Sequence, residues 1–259
     1  MLAGNSRATT RKVLVSLRAI LAAAMRRGLV AQNVASAVRV AAQDRHREKV
    51  EIPTPDEMRK LLAEATGKWR PFLLTAVFTG LRASELRGLR WVNVDLDQSL
   101  LTVTQRADEK GVMGSPKSAS SRRTIRLPPM VRNTLAEWRK ACPASAAGLV
   151  FPNGAGKPES LANIQNRFWG PVQIRCGVTS MRKGKAGEMV ARPRYGLHVT
   201  RHFYASWLIA QGLPPKRAQS LMGHSTIKLT LDTYGHLWPD TADDAKLEAA
   251  EAALLSSVR

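Results

Sequence analysis

The sequence predicts an α+β protein that is mainly α-helical and carries one small three-stranded β-sheet. Apolar residues recur at three- and four-residue steps over positions 6–27, which is the period of an amphipathic helix. Residues 69–79 form a strongly apolar run that stops at Gly80, as a buried helix with a glycine stop does. Alternation of apolar and polar residues, the period of a strand, is confined to positions 91–104 and 122–127.

The chain carries a large excess of positive charge. Its 259 residues include 40 Lys plus Arg against 20 Asp plus Glu, a net charge of +20. Such an excess favours a polyanionic partner, and the arginines are spread through periodic segments rather than gathered in a basic tail. No apolar run approaches the roughly 20 residues of a membrane-spanning helix. We expect a cytoplasmic, nucleoid-associated protein that binds double-stranded DNA and no membrane.

The first predicted helix, within residues 6–27, belongs to a small helical domain. Arg11, Lys12 and Arg18 lie off its apolar stripe, and we predict that they contact DNA. A polar, charge-rich stretch follows and ends at Pro53, as a linker does. The predicted division of the chain is a partial helical domain at 1–46, a linker at 47–53, and a main domain at 54–259 with a C-terminal helix.

The main domain opens with two helix signals. Thr54, Pro55 and Glu57 fit an N-cap, a first-turn proline and a capping-box partner. After Gly80, the sequence Leu-Arg-Ala-Ser-Glu-Leu opens another helix. Its arginine, Arg82, and its glutamate, Glu85, are three residues apart, so the carboxylate can hold the guanidinium.

The middle of the chain combines the predicted sheet with further helices. Residues 105–121 are rich in Gly, Ser and Lys, and Arg122 and Arg123 open the last predicted strand. Helices are predicted over 130–141 and 160–169. Residues 172–195 are rich in Gly, Lys and Arg, and no element is predicted there. This segment is either a mobile insert that contacts phosphates or a solvated loop. We count Arg122, Arg123, Lys183 and Lys185 among the candidate DNA contacts.

The C-terminal third holds the most specific pattern in the sequence. It begins with His198-Val-Thr-Arg201-His202, continues with Leu-Met-Gly-His224, and reaches Tyr234 ten residues later. Each residue alone is commonplace. Together, in this order, they resemble the signature of the tyrosine recombinase (phage integrase) family, and the segment around Arg82 resembles the first-arginine motif of the same family.

The resemblance implies the tyrosine recombinase catalytic fold, preceded here by the second half of a helical DNA-clamping domain. It also implies a lysine on a hairpin of the sheet that reaches the scissile phosphate. Lys117, in Pro-Lys-Ser before the Arg-Arg strand, fits that lysine best, and Lys110 is the alternative.

The same resemblance implies a mechanism of DNA cleavage and rejoining. Tyr234 would attack phosphorus and form a 3′-phosphotyrosyl intermediate with release of a 5′-hydroxyl. Arg82 and Arg201 would stabilise the charge on the non-bridging oxygens, and His224 would donate a hydrogen bond to one of them. His198 would orient the nucleophile or take its proton, and Lys117 would protonate the leaving oxygen. His202 and His236 are only neighbours of this pattern. No metal, cofactor or ATP is expected.

Two other functions remain open at this point. A type IB topoisomerase-like nicking-closing enzyme uses similar residues as a monomer, and a non-catalytic DNA-binding remnant would keep the cluster without recombining. The resemblance implies a homotetramer on paired DNA sites, and a monomer or weak oligomer without DNA. The predicted tail helix at 240–257 would dock on a neighbouring protomer or pack on its own domain. The target sequence and the direction of recombination are not encoded in any pattern that we recognise.

Overall fold

The computed structural model describes residues 7–40, 50–116, 118–184, 186–238 and 244–256, with only the backbone described at 8, 244–247 and 250. The chain divides into two compact units, residues 1–48 and 49–259. No helix within the described ranges is both long and apolar enough to cross a membrane.

Most of the described chain is helical, with short antiparallel strands, and the predicted α+β, mainly α-helical class is confirmed. The helices are α1 Arg7–Arg26, α2 Pro55–Glu64, α3 Trp69–Thr79, α4 Ala83–Arg87, α5 Pro129–Ala141, α6 Leu161–Ile164, α7 Gly170–Arg175, α8 Val199–Ala210, α9 Pro215–Met222, α10 Ile227–Tyr234 and α11 Asp244–Ser256. The strands are β1 Val94–Asp95, β2 Leu100–Val103, β3 Arg106–Ala107, β4 Met113–Gly114, β5 Arg123–Arg126, β6 Thr179–Lys183 and β7 Met189–Pro193.

In the first unit, α1 is joined to a short 3₁₀ turn by the side chain of Arg18. The Arg18 Nε donates to the Ala35 carbonyl at 2.9 Å, and its Nη2 donates to the carbonyls of Ser36 and Val38. In return, Asn33 Nδ2 donates to the Arg18 carbonyl at 2.9 Å. The guanidinium of Arg18 thus holds the turn, and its predicted role as a DNA contact stays a prediction.

The start of the second unit follows the sequence signals closely. The Glu57 N–H donates to Thr54 Oγ1 at 3.1 Å, and the Thr54 N–H donates to Glu57 Oε2 at 2.8 Å. The predicted capping box is thus confirmed. The apolar helix α3 occupies the predicted residues 69–79, and Gly80 ends it in the left-handed conformation with φ 59°.

The core of the second unit lies between α3, α5, α8 and one face of the sheet. Phe72 of α3 packs edge-on against Phe151, and Leu101 and Ile125 pair across β2 and β5 while both remain buried. The sheet has the order β1–β2–β5, so the predicted three-stranded sheet is confirmed. Its first strand is shorter than expected, because residues 91–93 form a 3₁₀ turn that leaves Val92 78% exposed.

Residues 172–184 and 186–195 contain regular elements where none was predicted. After α7, strands β6 and β7 pair antiparallel, with Thr179 opposite Pro193 and Lys183 opposite Met189. Most residues of both strands are exposed. A β-hairpin with solvent on both faces lacks the apolar alternation by which strands are recognised in a sequence.

The C-terminal helices form a second apolar cluster. Tyr204 and Leu208 of α8, Met222 of α9 and Tyr234 of α10 are its buried members. Helix α11 covers residues 244–256 of the predicted tail helix, and the rest of that prediction lies outside the described residues. Where side chains of α11 are described, they are exposed.

Candidate active site

The C-terminal end of α9 is the centre of the candidate site. Gly223 follows the helix with φ 62°, a left-handed conformation that favours glycine. A Cβ at this position would lie 3.0 Å from Arg123 Nη1 and 3.1 Å from the Ser120 carbonyl oxygen, so a larger residue would also be crowded. The carbonyls of Leu221, Met222 and Gly223 lie beyond the helical hydrogen bonds, and each accepts from a different arginine.

Arg82 reaches this helix end from the residue before α4. Its Nη2 donates to the Gly223 carbonyl at 3.2 Å, and its Nη1 donates to Glu85 Oε1 at 2.8 Å. The predicted contact between Arg82 and Glu85 is present. The backbone N–H of Arg82 also donates to Glu85 Oε2 at 2.9 Å. The Arg82 side chain is still 28% exposed, so an incoming anion can reach it.

Arg123 approaches the same helix end from β5. Its Nε donates to the Leu221 carbonyl at 2.8 Å, its Nη1 to the Ser121 carbonyl at 3.0 Å, and its Nη2 to Glu85 Oε2 at 3.0 Å. The side chain is 5% exposed. Every nitrogen of the guanidinium already donates inside the protein, and the role of Arg123 in DNA binding stays a prediction.

Arg201 is buried in the first turn of α8. Its Nη1 donates to the Gly80 carbonyl at 2.6 Å, and its Nη2 donates to the Met222 carbonyl. Burial lowers the pKa of the Arg201 guanidinium to about 9, and the charges of Arg82 and Arg123 act in the same direction. The group is still a cation at neutral pH. Gly80 must be glycine here, since a Cβ would lie 2.2 Å from the Tyr204 ring.

The charges of this cluster do not cancel. Three guanidinium groups, Arg82, Arg123 and Arg201, surround the Glu85 carboxylate, and two of them contact it. Burial by itself acts to raise the pKa of Glu85, but the charge and hydrogen bond of Arg123, together with those of Arg82, outweigh it and lower the pKa. Glu85 is therefore ionised at neutral pH, and the cluster keeps a surplus of positive charge that suits an anionic ligand.

His224 follows Gly223 directly and is half-buried. Its Nδ1 lies 2.9 Å from Thr230 Oγ1, which is itself buried. Burial lowers the pKa of His224 to about 3, helped by the charges of Arg201 and Arg82. The ring is therefore neutral at pH 7. When the Thr230 hydroxyl donates to Nδ1, the ring proton sits on Nε2, which can then donate to a ligand.

Tyr234 is the last residue of α10 and is 2% exposed. Its ring lies nearly parallel to that of His224, with centroids 6.4 Å apart. Its hydroxyl lies 2.7 Å from Nδ1 of His202. Burial raises the pKa of Tyr234 to about 12, although the charge of Arg201 opposes this. The phenol therefore holds its proton at neutral pH and needs an acceptor before it can attack.

His202 is the residue of this site to which the sequence analysis gave no role. The predicted partner of Tyr234 was His198, and the role of His198 stays a prediction. A signal for His202 was present, because it lies four residues after His198 and therefore on the same face of α8. The family resemblance rests on the spacing of His198 and Arg201, and His202 is only a neighbour of that pattern.

His198 lies at the N-terminal end of α8 and is exposed to solvent. Its ring is perpendicular to that of His202, with centroids 4.9 Å apart. The surrounding protein still removes enough water from the ring to lower its pKa, and the charges of Arg201 and Arg82 lower it further. A groove of about 710 Å³ opens beside His198.

The two lysines chosen from the sequence for the site and its surroundings, Lys117 and Lys185, lie outside the described residues. Lys110, the alternative to Lys117, is exposed in the turn between β3 and β4, where its N–H donates to Asp108 Oδ1 at 2.9 Å. The choice between the two lysines therefore stays a prediction.

The remaining basic residues predicted to contact DNA are on the surface. Arg11 and Lys12 are exposed on α1, Arg122 is exposed before β5, and Lys183 is exposed at the end of β6. Their roles in DNA binding stay predictions. Each is accessible to a phosphate group within its own unit.

The arrangement suits the transfer of a phosphoryl group. It combines a buried phenol that is hydrogen-bonded to an imidazole, cationic donors fixed by backbone carbonyls, and side chains of Arg82, His198 and His224 that solvent reaches at least in part. Within the described ranges, no group of three or more His, Cys, Asp or Glu residues is placed to hold a metal ion.

Comparisons with known proteins agree with this chemistry. A tyrosine recombinase XerC-like protein of Caldanaerobacter subterraneus subsp. tengcongensis is 26% identical over 93% of this chain and 66% of its own length. Tyrosine recombinase XerC of Xanthomonas axonopodis pv. citri is 30% identical over 90% of this chain and 69% of its own. Prophage integrase IntR of Escherichia coli K12 is 26% identical over 81% of this chain. The chain spans 53% of the length of that integrase.

Solved structures share the fold. The Tn1549 transposon integrase, in complex with transposon right end DNA, has a TM-score of 0.68 and 24% identity over 96% of this chain and 81% of its own. A lambda integrase dimer bound to a core site has a TM-score of 0.56 and 21% identity over 86% of this chain and 74% of its own. The sequence model described as the phage integrase family matches residues 51–240. The chain therefore belongs to the phage integrase family, whose members include the tyrosine recombinases.

Proposed function

We propose that this protein is a site-specific DNA recombinase that cuts and rejoins double-stranded DNA through a covalent 3′-phosphotyrosyl intermediate, without metal or ATP. The observation that carries the proposal is the position of Tyr234. Its hydroxyl is hydrogen-bonded to an imidazole, inside a site whose three guanidinium groups exceed its one carboxylate. A nucleophilic oxygen beside surplus positive charge is what attack on a phosphodiester requires.

The cations of the site would act on the transition state. Arg82 is reachable from solvent and would donate to a non-bridging oxygen. Arg201 is held by two carbonyls and would stabilise the developing negative charge from a fixed position. Neutral His224 would add a hydrogen bond from Nε2. The leaving 5′-oxygen needs a proton, and Lys117 is the proposed donor on the family resemblance alone.

Bond exchange explains why no energy source is needed. The phosphotyrosyl bond conserves the energy of the broken phosphodiester, and the 5′-hydroxyl of a second DNA end later attacks it. The burial of Tyr234 favours this outcome, because a covalent intermediate shielded from water is protected against hydrolysis. The names of the XerC relatives and the DNA in the Tn1549 integrase complex support the same reaction class.

We propose that exchange takes place in a homotetramer on paired DNA sites, as the family resemblance implies, at the nucleoid. Helix α11 supports a role in assembly. Leu254 and Leu255 are 70% and 60% exposed, so this end of the helix presents apolar surface. A chain truncated after residue 239 is expected to bind a half-site and to lose paired-site complexes in a gel shift. Retention of those complexes would favour a helix that packs on its own domain.

Two alternatives predict different products. A type IB topoisomerase-like enzyme would relax one supercoiled duplex without joining two, and a DNA-binding remnant would form no covalent adduct. Exchange between two differently labelled duplexes separates the recombinase from the nicking-closing enzyme. The adduct separates both enzymes from the remnant.

The test of the proposal is the substitution Tyr234→Phe. The ring and its packing remain while the nucleophilic oxygen is removed, so duplex binding should stay within about twofold. The covalent protein–DNA adduct on a denaturing gel should disappear. Tyr195→Phe is the matched control, because Tyr195 is also buried but lies away from the arginine cluster, where its hydroxyl donates to Glu57. An adduct that persists in Tyr234→Phe would overturn the assignment of the nucleophile.

A further inference from the structure

We propose that His202, and not His198, accepts the proton of the Tyr234 hydroxyl as the tyrosine attacks phosphorus. The inference rests on the proposed function and assigns one step of it. It concerns a residue on which the sequence pattern placed no role.

The first support is the contact itself. Nδ1 of His202 and the hydroxyl oxygen of Tyr234 are 2.7 Å apart. This is the reach that a general base needs to the proton that it takes. Among the described residues, the Tyr234 hydroxyl forms its hydrogen bond with His202 and none with His198.

The second support is that the position of His202 is fixed. It follows Arg201, whose guanidinium bonds the carbonyls of Gly80 and Met222 and so anchors the first turn of α8. The ring of His198 packs perpendicular to that of His202 on one side, and Tyr234 lies on another. A base held by its neighbours needs no rearrangement when the reaction begins.

The third support is the protonation state of the two partners. Burial lowers the pKa of His202 to about 4, with His198 and Arg201 acting in the same direction, so the imidazole is neutral at pH 7. Tyr234, with its pKa raised to about 12, still carries its proton. A neutral ring whose proton sits on Nε2 offers the lone pair of Nδ1 to the phenol.

His198 is placed for a different task. It is exposed, it lies beside the groove, and its titration responds to Arg201 and Arg82. This is the side from which a phosphodiester can enter. We therefore assign different roles to these two histidines. His202 acts on the nucleophile, and His198 is placed on the side where the phosphate of the DNA substrate would enter.

The proton transfer must be coupled to attack, because the phenol in the free protein holds its proton far more tightly than the imidazole does. As the bond between the Tyr234 oxygen and phosphorus forms, the O–H bond breaks and its proton passes to Nδ1. The bond from phosphorus to the 5′-oxygen breaks with its electron pair, and that oxygen takes a proton from the general acid. The anionic phosphate also offsets the charge of Arg201, which makes the imidazole a better acceptor. In the rejoining step, the imidazolium returns the proton to the departing phenolate.

The experiment measures single-turnover cleavage of a nicked DNA substrate that traps the covalent adduct. In His202→Asn, the amide oxygen can still accept the Tyr234 hydrogen bond but cannot hold a proton. We expect duplex binding within about twofold of wild type and cleavage slower by about a hundredfold or more. His236→Asn is the matched control, since His236 is exposed two residues after Tyr234.

A second measurement separates proton acceptance from structural damage. Fluorinated tyrosine at position 234 has a more acidic phenol, so it should recover much of the cleavage lost in His202→Asn. A variant that is merely distorted would not respond. Cleavage by His202→Asn at the wild-type rate would overturn the proposal. Faster cleavage would also overturn it, since His202 would then be restraining the nucleophile.

A third measurement does not depend on the folding of a His202 variant. In ¹⁵N spectra of the imidazoles, Tyr234→Phe should shift the Nδ1 signal of His202 and leave that of His198 nearly unchanged. The opposite pattern would assign the contact to His198. If wild-type protein forms no adduct at all, the proposed function fails. If the wild type forms the adduct and His202→Asn cleaves at the same rate, only the role of His202 is disproved.

Discussion

The arginines of the site and the basic residues of the β6–β7 hairpin use the same positive charge in two ways. Arg123 and Arg201 are 5% and 2% exposed, and they donate to backbone carbonyls that cannot move away. Arg182 and Lys183 stand in solvent on the hairpin. A fixed donor keeps its orientation while charge develops in a reaction, whereas a solvated side chain adds a long-range attraction that salt screens. On the proposed function, fixed arginines such as Arg201 would serve the reaction, and the hairpin residues would serve affinity for DNA.

The largest expected effect is on stability, at the arginine whose three nitrogens all donate inside the protein. Arg123→Leu removes a cation from buried Glu85 and leaves the Leu221 carbonyl without its donor, which should cost about 3 kcal/mol. Urea denaturation would measure it as a lower midpoint with an unchanged slope. Arg126→Leu, exposed on the same strand, is the control. Equal midpoints for the two variants would show that Arg123 is not structural.

A comparable effect on rate is expected at the two arginines that are proposed to stabilise the transition state. Arg82→Ala and Arg201→Ala should each slow single-turnover cleavage by about a hundredfold or more, because a preorganised donor is lost. Duplex binding should fall much less. Arg122→Ala, at an exposed position before β5, should leave the cleavage rate nearly unchanged. Parallel losses of binding and cleavage would reduce Arg82 and Arg201 to ordinary phosphate contacts.

The exposed hairpin should show the reverse pattern with a smaller effect. Lys183→Ala should weaken binding of all duplexes alike and lower the slope of log affinity against log salt by about one. Cleavage at saturating DNA should not change. Met181→Ala, 57% exposed on the same strand, is the uncharged control. A slope that equals that of the control would remove the hairpin from the DNA-binding surface.

For removal of metal ions, we expect no effect on adduct formation. If the guanidinium groups supply the charge that phosphoryl transfer needs, adduct formation should survive an excess of chelator. The measurement is adduct yield with EDTA and after readdition of Mg²⁺. Cleavage that stops with chelator and returns with Mg²⁺ would contradict the metal-free proposal.

Local signals in the sequence predicted a large part of the fold. Two of these signals span only four residues: the capping box at Thr54 and Glu57, and the pairing of Arg82 with Glu85. A third is one continuous apolar run that ends at Gly80. Such signals need no knowledge of the tertiary structure. The three-stranded sheet was also predicted, because one of its faces is buried and leaves an alternating pattern.

The contacts that were not predicted share a physical cause. The anchoring of Arg123 inside the protein leaves no local signal, because its partner at Leu221 lies 98 residues further along the chain. The contact between His202 and Tyr234 also joins remote segments, since the two residues are 32 positions apart. Burial and hydrogen bonding at these positions are set by packing between remote segments. The hairpin at 179–193 escaped prediction for a different reason, as its two strands carry little apolar alternation.

The hydrogen bonds that anchor Arg201 affect the charge balance of the site. Its partners, the carbonyls of Gly80 and Met222, lie at the C-terminal ends of α3 and α9, where the backbone dipoles present partial negative charge. A helix dipole stabilises a cation but leaves its net charge in place, whereas an aspartate would neutralise that charge. Glu85 is already shared by Arg82 and Arg123. The folded chain therefore holds an unbalanced charge in its interior. On the proposed function, a phosphodiester supplies the missing anion. Recognition of the DNA backbone would then also relieve this internal repulsion, so we expect the protein to be more stable on DNA than alone.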